Sequence, residues 1–452
     1  GVRVELRRQQ PLRVEHALAM KSITNTFTTF QQIRGAIKKT SSTGMPLTGL
    51  GHLVLSRIII LAIVLITQAS ADIARGSAGQ YINLDGFIDI PRAAKPSKSL
   101  LKADIGWYKD IADSGYDAGP FKADGKPESQ RNWAFFPGWP IFWKMSGLGK
   151  ANAASGIAAA NILYISSIIA LAKFLKKLNL TTDASQKSFF LLSSYYPFGY
   201  FFSLPLPESL FSACTAVFLL TIPNKKSTPG NLALNCLAGF AAGLTRPTGI
   251  FSSIFPVAGI CKLIATKERC FNAFAALFAS ALSPLIGLGC FMLYLHQQTG
   301  NFLAFKEIQI AWGRSGGVLL EGLAKALSPE EILKITHYSN FRIANLTVCL
   351  LMLTCAFVLL RKGMRAKAHG SNFKYINLTA IAVYLLLLIA SCSSDNQVLL
   401  SFSRIAGANP IFFAAVAICL KPAIVEMATP LLALLLGAFS SLAVVGFDAF
   451  AA

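Results

Sequence analysis

The sequence predicts an all-α protein that crosses a membrane many times. Of its 452 residues 54% are hydrophobic and only 14% are charged, and mean hydropathy is +0.53. An ordinary soluble chain carries roughly 25% charged residues, so this composition needs a solvent other than water. The apolar segments recur nearly end to end, leaving space for one small extramembrane module. Disorder, collagen, coiled coil and a disulfide scaffold are excluded.

About twenty apolar residues cross the hydrocarbon. Spans are expected at about 53–73, 152–172, 188–204, 207–223, 231–247, 249–264, 271–295, 341–360, 376–392, 408–420 and 423–447, about 11 transmembrane helices. Those within 188–264 are short and carry Pro197, Pro205, Pro207, Pro247 and Pro256, so two are expected to be kinked or re-entrant. The organisation that follows is a basic cytoplasmic tail at 1–52 and a first transmembrane helix at 53–73. An outward-facing loop with amphipathic helices at 74–151 comes next, then transmembrane helices at 152–295. A second outward loop at 296–340 leads to C-terminal transmembrane helices at 341–452. Met20 opens a plausible start, and residues 1–19 receive no functional weight.

The net charge of +21 would point to nucleic acid in a soluble chain, but its placement argues otherwise. Twenty-four of the 42 Lys and Arg, and five of the 21 Asp and Glu, fall in residues 1–57, with Arg57 counted into the tail, and in alternate short loops, carrying +19 of the net charge. That is the pattern of the positive-inside rule, which sets the N-terminus in the cytoplasm and turns the two long loops outward. The nine cysteines form no C-x-x-C and lie in or beside apolar spans, and the five histidines are scattered; no disulfide, metal site or cofactor is expected.

Chemistry is sought in the outward segments. Residues 102–116 have helical spacing with a stop at Gly115. Asp104, Trp107, Tyr108 and Ile111 share one face; Asp110 and Asp113 lie on the solvated side. Asp104 reads either as a helix N-cap or as a carboxylate tuned by an apolar surface to act as a base. The run from Asn132 and Trp133 to Trp143 reads first as an interfacial aromatic belt and second as a groove for a lipid or a sugar ring. Glu208 and Arg246 are ionisable groups near membrane depth, which are costly and default to functional candidates. Arg314 beside Trp312, and Arg404, add two outward arginines suited to phosphate oxygens, or else to snorkelling and pairing with Glu208 or Asp395. Gly313–Gly317 satisfies G-x-S-x-G literally but lacks the strand–turn–helix context of a hydrolase elbow. No D-x-D, G-x-x-x-x-G-K or G-x-G-x-x-G is present, which leaves nucleotide-bound donors and ATP without support.

The ordered set Asp104-Ile105-Gly106-Trp107-Tyr108, Asn132-Trp133-Ala134-Phe135-Phe136-Pro137, Pro207-Glu208-Ser209-Leu210-Phe211, Leu244-Thr245-Arg246-Pro247-Thr248-Gly249, Gly300–Phe305 with Gln309, Trp312 and Arg314, and Ser401-Phe402-Ser403-Arg404 resembles the PIG-V family of GPI mannosyltransferases and its bacterial relatives. These are multi-span GT-C glycosyltransferases, and the resemblance runs in order over about residues 100–404. Ala103, Pro207, Asn301 and Ile405 depart from the family pattern, which has Trp, Thr, Asp and Tyr at those places. The resemblance implies a GT-C-type bundle and an inverting hexosyltransferase that moves a sugar, commonly mannose, from a polyprenyl- or dolichyl-phosphate donor to a glycan or glycolipid acceptor on the extracytoplasmic or luminal face. It implies Asp104 as general base and Arg246, Arg314 and Arg404 on the donor phosphate. Trp107, Tyr108, Asn132, Trp133, Glu208 and Trp312 would shape the substrate site, and no metal is required. The small basic loops favour a bacterial inner membrane over the endoplasmic reticulum. The rival class is a lipid flippase or solute transporter, which also keeps intramembrane charges.

Overall fold

The computed structural model describes residues 47–78, 104–119, 130–224, 227–267, 270–312, 321–328, 342–391, 399 and 401–445. The chain divides into two compact units, Gly1–Gly51 and His52–Ala452. Of the first, only the opening of α1 (Leu47–Ala78) falls within the described residues. Among those residues all regular structure is helical.

The segment expected to form the first outward loop contributes α2 (Asp104–Ser114) and α3 (Gly138–Ser146), with a 3₁₀ turn at Asn132–Ala134 between them. The bundle begins with α4 (Ala153–Lys177), α5 (Asp183–Ser194), a 3₁₀ turn at Gly199–Phe202 and α6 (Pro207–Leu220). It continues through α7 (Pro229–Thr245), a 3₁₀ segment at Pro247–Ser253, α8 (Ile254–Ala265) and α9 (Phe271–Thr299). Short pieces α10 (Ala304–Glu307), a 3₁₀ turn at Ile308–Trp312 and α11 (Glu321–Ala326) precede α12 (Arg342–Ala368) and α13 (Asn372–Ala390). The chain closes with α14 (Phe402–Ala408), α15 (Ile411–Cys419) and α16 (Pro422–Val445).

Among the described residues seven helices are long and apolar enough to cross a membrane, or eight if α14 and α15, bent by 88°, count as one span. The protein is therefore a polytopic helical membrane protein, with fewer full crossings among the described residues than the eleven expected. The difference falls where proline punctuates the chain. α5 stops short of Pro197, and Pro207 restarts the helix at its first turn, so the expected crossings at 188–204 and 207–223 become helices of 12 and 14 residues. Fourteen residues reach about 21 Å, against a hydrocarbon core of about 30 Å. The 231–247 segment is the 17-residue α7 and the 408–420 segment is the nine-residue α15.

A broken helix leaves carbonyls that hydrocarbon cannot satisfy. Arg57, counted by sequence with the basic tail, does this work: it is 3% exposed, within α1. Its Nη1 donates to the Gly199 carbonyl at 2.8 Å and to Ser203 Oγ at 3.3 Å, and Nη2 donates to the Ser194 carbonyl at 3.2 Å. The guanidinium lies 4.8 Å over the Tyr164 ring. It belongs to the interior, not to the orientation signal.

Elsewhere backbones meet closely through small residues. A Cβ added at Gly243 of α7 would lie 2.1 Å from the Pro284 carbonyl of α9, and one at Gly287 would lie 2.1 Å from the Phe240 carbonyl. The basic loops gather at common helix ends. Lys177 donates to the Leu220 carbonyl at 3.4 Å, Lys187 pairs with Glu426 at 2.8 Å, Lys362 donates to the Ile418 carbonyl at 2.6 Å, and Lys262 stands 4.2 Å over the Phe373 ring. Glu208 begins the helix that ends at Leu220, so it lies at the opposite end of α6 from the lysines.

Arg57→Met keeps the packing volume but removes the guanidinium donors that meet the Gly199 and Ser194 carbonyls and Ser203 Oγ. It is expected to lower stability by about 2–4 kcal/mol, the cost of stranding two or three buried acceptors. Thermal unfolding in detergent measures this, and Arg57→Lys should recover part of the loss.

Candidate active site

Four charged side chains singled out by sequence form one string. Glu208 sits in the first turn of α6, where a carboxylate complements the helix dipole, and is completely buried. Arg246 follows the last turn of α7, where a cation is favoured, and its Nη2 donates to Glu208 Oε1. Arg404 in α14 donates from Nε to that same oxygen at 2.5 Å, and from Nη1 to Asp104 Oδ2 at 2.5 Å. Asp104 opens α2. The order is Asp104, Arg404, Glu208, Arg246: alternating charges, net zero. The Arg404 guanidinium also rests 4.6 Å over the Phe201 ring. Exposure decreases inward from the Asp104 side chain (16%) through Arg404 (8%) to Glu208 (0%), and Arg246 at the far end is 15% exposed. Ions at such depth stay charged only when paired and hydrogen-bonded, and each of these has its counter-ion.

Residues that sequence did not single out hold Arg404 in place. Ser403 donates from its backbone N and its Oγ to Asn345 Oδ1 at 2.9 and 2.7 Å, and its carbonyl accepts from Tyr196 Oη at 2.6 Å. Ser401, just before α14, has φ +56°, a left-handed conformation unusual for a residue with a Cβ. Asn345 opens an Asn-Leu-Thr sequon, a motif that does not encode its burial.

The first outward loop differs from its two expected forms. The buried stripe of α2 is Ile105, Tyr108, Ile111 and Ala112, so Asp104 and Trp107 lie at its edge, while Asp110 and Asp113 are exposed as expected. Gly115, at φ +87°, ends the helix, its N–H donating to the Ile111 carbonyl at 2.9 Å. The aromatic run is not an interfacial belt. Trp133, Trp139 and Trp143 are 4%, 0% and 0% exposed. Their indole N–H groups donate at 2.8 Å to the carbonyls of Asp117, Pro205 and Asn152 respectively. With Phe136, Trp133 packs into a cluster with Phe291, Leu295, Ala304 and Ile308, which fastens the loop to α9 and α10. At Gly138 an added Cβ would lie 2.4 Å from Thr245 Oγ1, so α3 abuts the residue before Arg246.

Asn132 and Trp133, expected to shape a substrate site, tie the two ends of the loop together. Asn132 Oδ1 accepts from the Asp117 N–H at 3.0 Å, its Nδ2 donates to the Gly115 carbonyl at 3.2 Å, and its own N–H donates to Asp117 Oδ2 at 3.3 Å. Trp107 stacks on Phe135 at 5.9 Å and Tyr108 meets that ring edge-on at 5.1 Å. Burial, above all, pushes the Tyr108 phenol above its usual range, with Glu208 and Asp104 adding to the rise and Arg246 and Arg404 opposing it. Tyr108 therefore stays protonated. Arg314 lies outside the described residues, as do Asp395 and the Trp312 side chain. Among the described residues no group of three His, Cys, Asp or Glu could hold a metal ion.

No protein-family model matches the chain. No curated protein matches it either. Among solved structures it is similar to the oligosaccharyltransferase of Archaeoglobus fulgidus. The apo form has a TM-score of 0.46 and 12% identity over 87% of this chain and 56% of that one. The same enzyme in complex with Zn and sulfate gives 0.41 and 13% over 86% and 53%. The chain thus spans little more than half the length of those structures.

Asn345→Ala strands the Ser403 N–H and hydroxyl beside Arg404. A loss of about 2–3 kcal/mol is expected for two buried donors, with helical circular dichroism unchanged at low temperature. Thermal melting of the purified protein reads it.

Proposed function

We propose that the protein is a membrane glycosyltransferase of the GT-C type. In this reading it moves a sugar, mannose for preference, from a polyprenyl- or dolichyl-phosphate donor to a glycan or glycolipid acceptor on the outer face. The observation that carries the reading is the charge string, in which a partly open carboxylate is joined through a buried arginine to a second carboxylate–arginine pair.

The chemistry divides along that string. Asp104 accepts the proton of the acceptor hydroxyl, whose oxygen attacks the anomeric carbon from the face opposite the phosphate. The bond from that carbon to the phosphate oxygen breaks, the configuration inverts, and the lipid phosphate leaves with the bonding pair. Arg404 and Arg246 stabilise the charge that gathers on it, with Arg314 as a third candidate. The link from Arg404 to Asp104 keeps base and phosphate site in fixed relation, which an in-line displacement requires. The basic loops set the N-terminus in the cytoplasm and the string on the outer side, which suits a lipid-borne donor; a bacterial inner membrane is the preferred setting.

A second reading rests on the breaks at 195–206 and between α14 and α15, both adjoining the string. Broken helices beside buried charges also mark transporters.

The deciding assay is transfer of labelled mannose from polyprenyl-phosphate mannose in membranes carrying wild type or Asp104→Asn. Transfer by wild type is expected, with a loss of at least about 100-fold in the variant, the usual worth of a general base. Equal transfer by both removes Asp104 as base. Absence of transfer together with flipping of a labelled lipid in proteoliposomes would favour the transporter.

A further inference from the structure

Glu208 makes an unequal use of its two oxygens. Oε1 is shared by two guanidiniums, while Oε2 is buried without a hydrogen-bond partner among the described residues. The arginines are unequal as well. Arg404 is held on three sides, by Glu208, by Asp104 and by the Phe201 ring. Arg246 is tied to Glu208 through Nη2, and its buried Nε has no partner among the described residues. Its side chain is 15% exposed, against 0% for Glu208 behind it.

Two nearly dry guanidiniums need an anion at all times, because an unpaired cation at that depth costs several kcal/mol. Before a ligand arrives, Glu208 is that anion. A phosphate offers guanidinium forks the same kind of paired oxygens as a carboxylate, so it competes for the same N–H groups. We infer that Glu208 is the resident counter-anion of a phosphate site: an incoming phosphate takes Arg246 from Glu208 Oε1, while Glu208 stays on Arg404. Arg246 is the arm that re-aims, since a single ion pair holds it where three contacts hold Arg404, and its side chain is the more exposed of the two, 15% against 8%. The phosphate it receives is the headgroup of a lipid or a free phosphate, and its affinity is set by competition with Glu208. This rests on the reading of the arginines as the phosphate side of the site.

The test uses the full chain in detergent, with a short-chain polyprenyl phosphate and inorganic phosphate as separate probes. Affinity is taken from ligand-induced shifts in melting temperature. Glu208→Gln keeps the shape of the side chain and removes the competing charge. The variant is expected to melt at a lower temperature without ligand, yet to bind polyprenyl phosphate about 5- to 150-fold more tightly, the usual range of coupling between two ligands of one site. Tightening for the lipid probe alone identifies the headgroup as the ligand; tightening for both shows that phosphate suffices. Unchanged or weaker binding, or no binding by either protein, overturns the inference. If Glu208→Gln yields no folded protein, Glu208→Asp withdraws the charge by one methylene and must likewise tighten binding. Mannose transfer is assayed in parallel. Tighter phosphate binding without transfer would sink the enzyme and leave the counter-anion standing, whereas transfer without tightening would do the reverse.

Discussion

The pairing of Arg404 with both Glu208 and Asp104 is the constraint on which the rest of the arrangement depends. A guanidinium 8% exposed inside an apolar bundle has no water to solvate it, so carboxylates must be brought to it. Those carboxylates begin α2 and α6, and Asp104 is 300 residues from Arg404 in sequence. One cation thereby fixes the outward loop to the bundle's first half and to its end. Both carboxylates stand in first turns, where exposed N–H groups favour negative charge, so the helix ends contribute to the same electrostatic solution.

A second theme is that irregular backbone inside the bundle is answered by long side chains rather than by water. The break at 195–206 is spanned from α1 by Arg57 and from the outward loop by Trp139, whose indole N–H reaches the Pro205 carbonyl. The turn into α14 is held by Asn345 and Tyr196. In hydrocarbon each orphan carbonyl or N–H is expensive, so the residues that meet them are as much a part of the architecture as the apolar spans.

These features were unequally legible in the sequence. The long crossings α4, α9, α12, α13 and α16 announced themselves because twenty or more apolar residues have few other uses. Glu208, Arg246 and Arg404 stood out as charges near membrane depth and Asp104 by its place on a helix face; pairing of an arginine with Glu208 was one expected alternative, but the four-membered string was not legible, because no local spacing encodes contacts between residues 38 to 300 apart. Arg57 was misread because the sidedness rule counts charges by position along the chain and cannot tell a cation in a loop from one a few residues inside the adjacent helix. The tryptophans of 133–143 were misread for a related reason: an indole prefers any place with one apolar side and one hydrogen-bond acceptor. A membrane interface provides that, and so does a buried carbonyl. The short helices at 183–220 were half legible, through their prolines.

The knot between Asp117 and Asn132 has a consequence of a different kind. Three hydrogen bonds and the Trp133 indole fasten the two ends of one excursion of the chain to each other, beside Gly115 and the start of the aromatic anchor. A segment whose feet are tied in this way can lengthen or shorten without the strain reaching Asp104 on one side or Trp139 on the other, and loop closure itself charges little for added residues. A change in chain length between Asp117 and Asn132 is thus absorbed at the knot, and the ion pairs of Asp104 stay as they are.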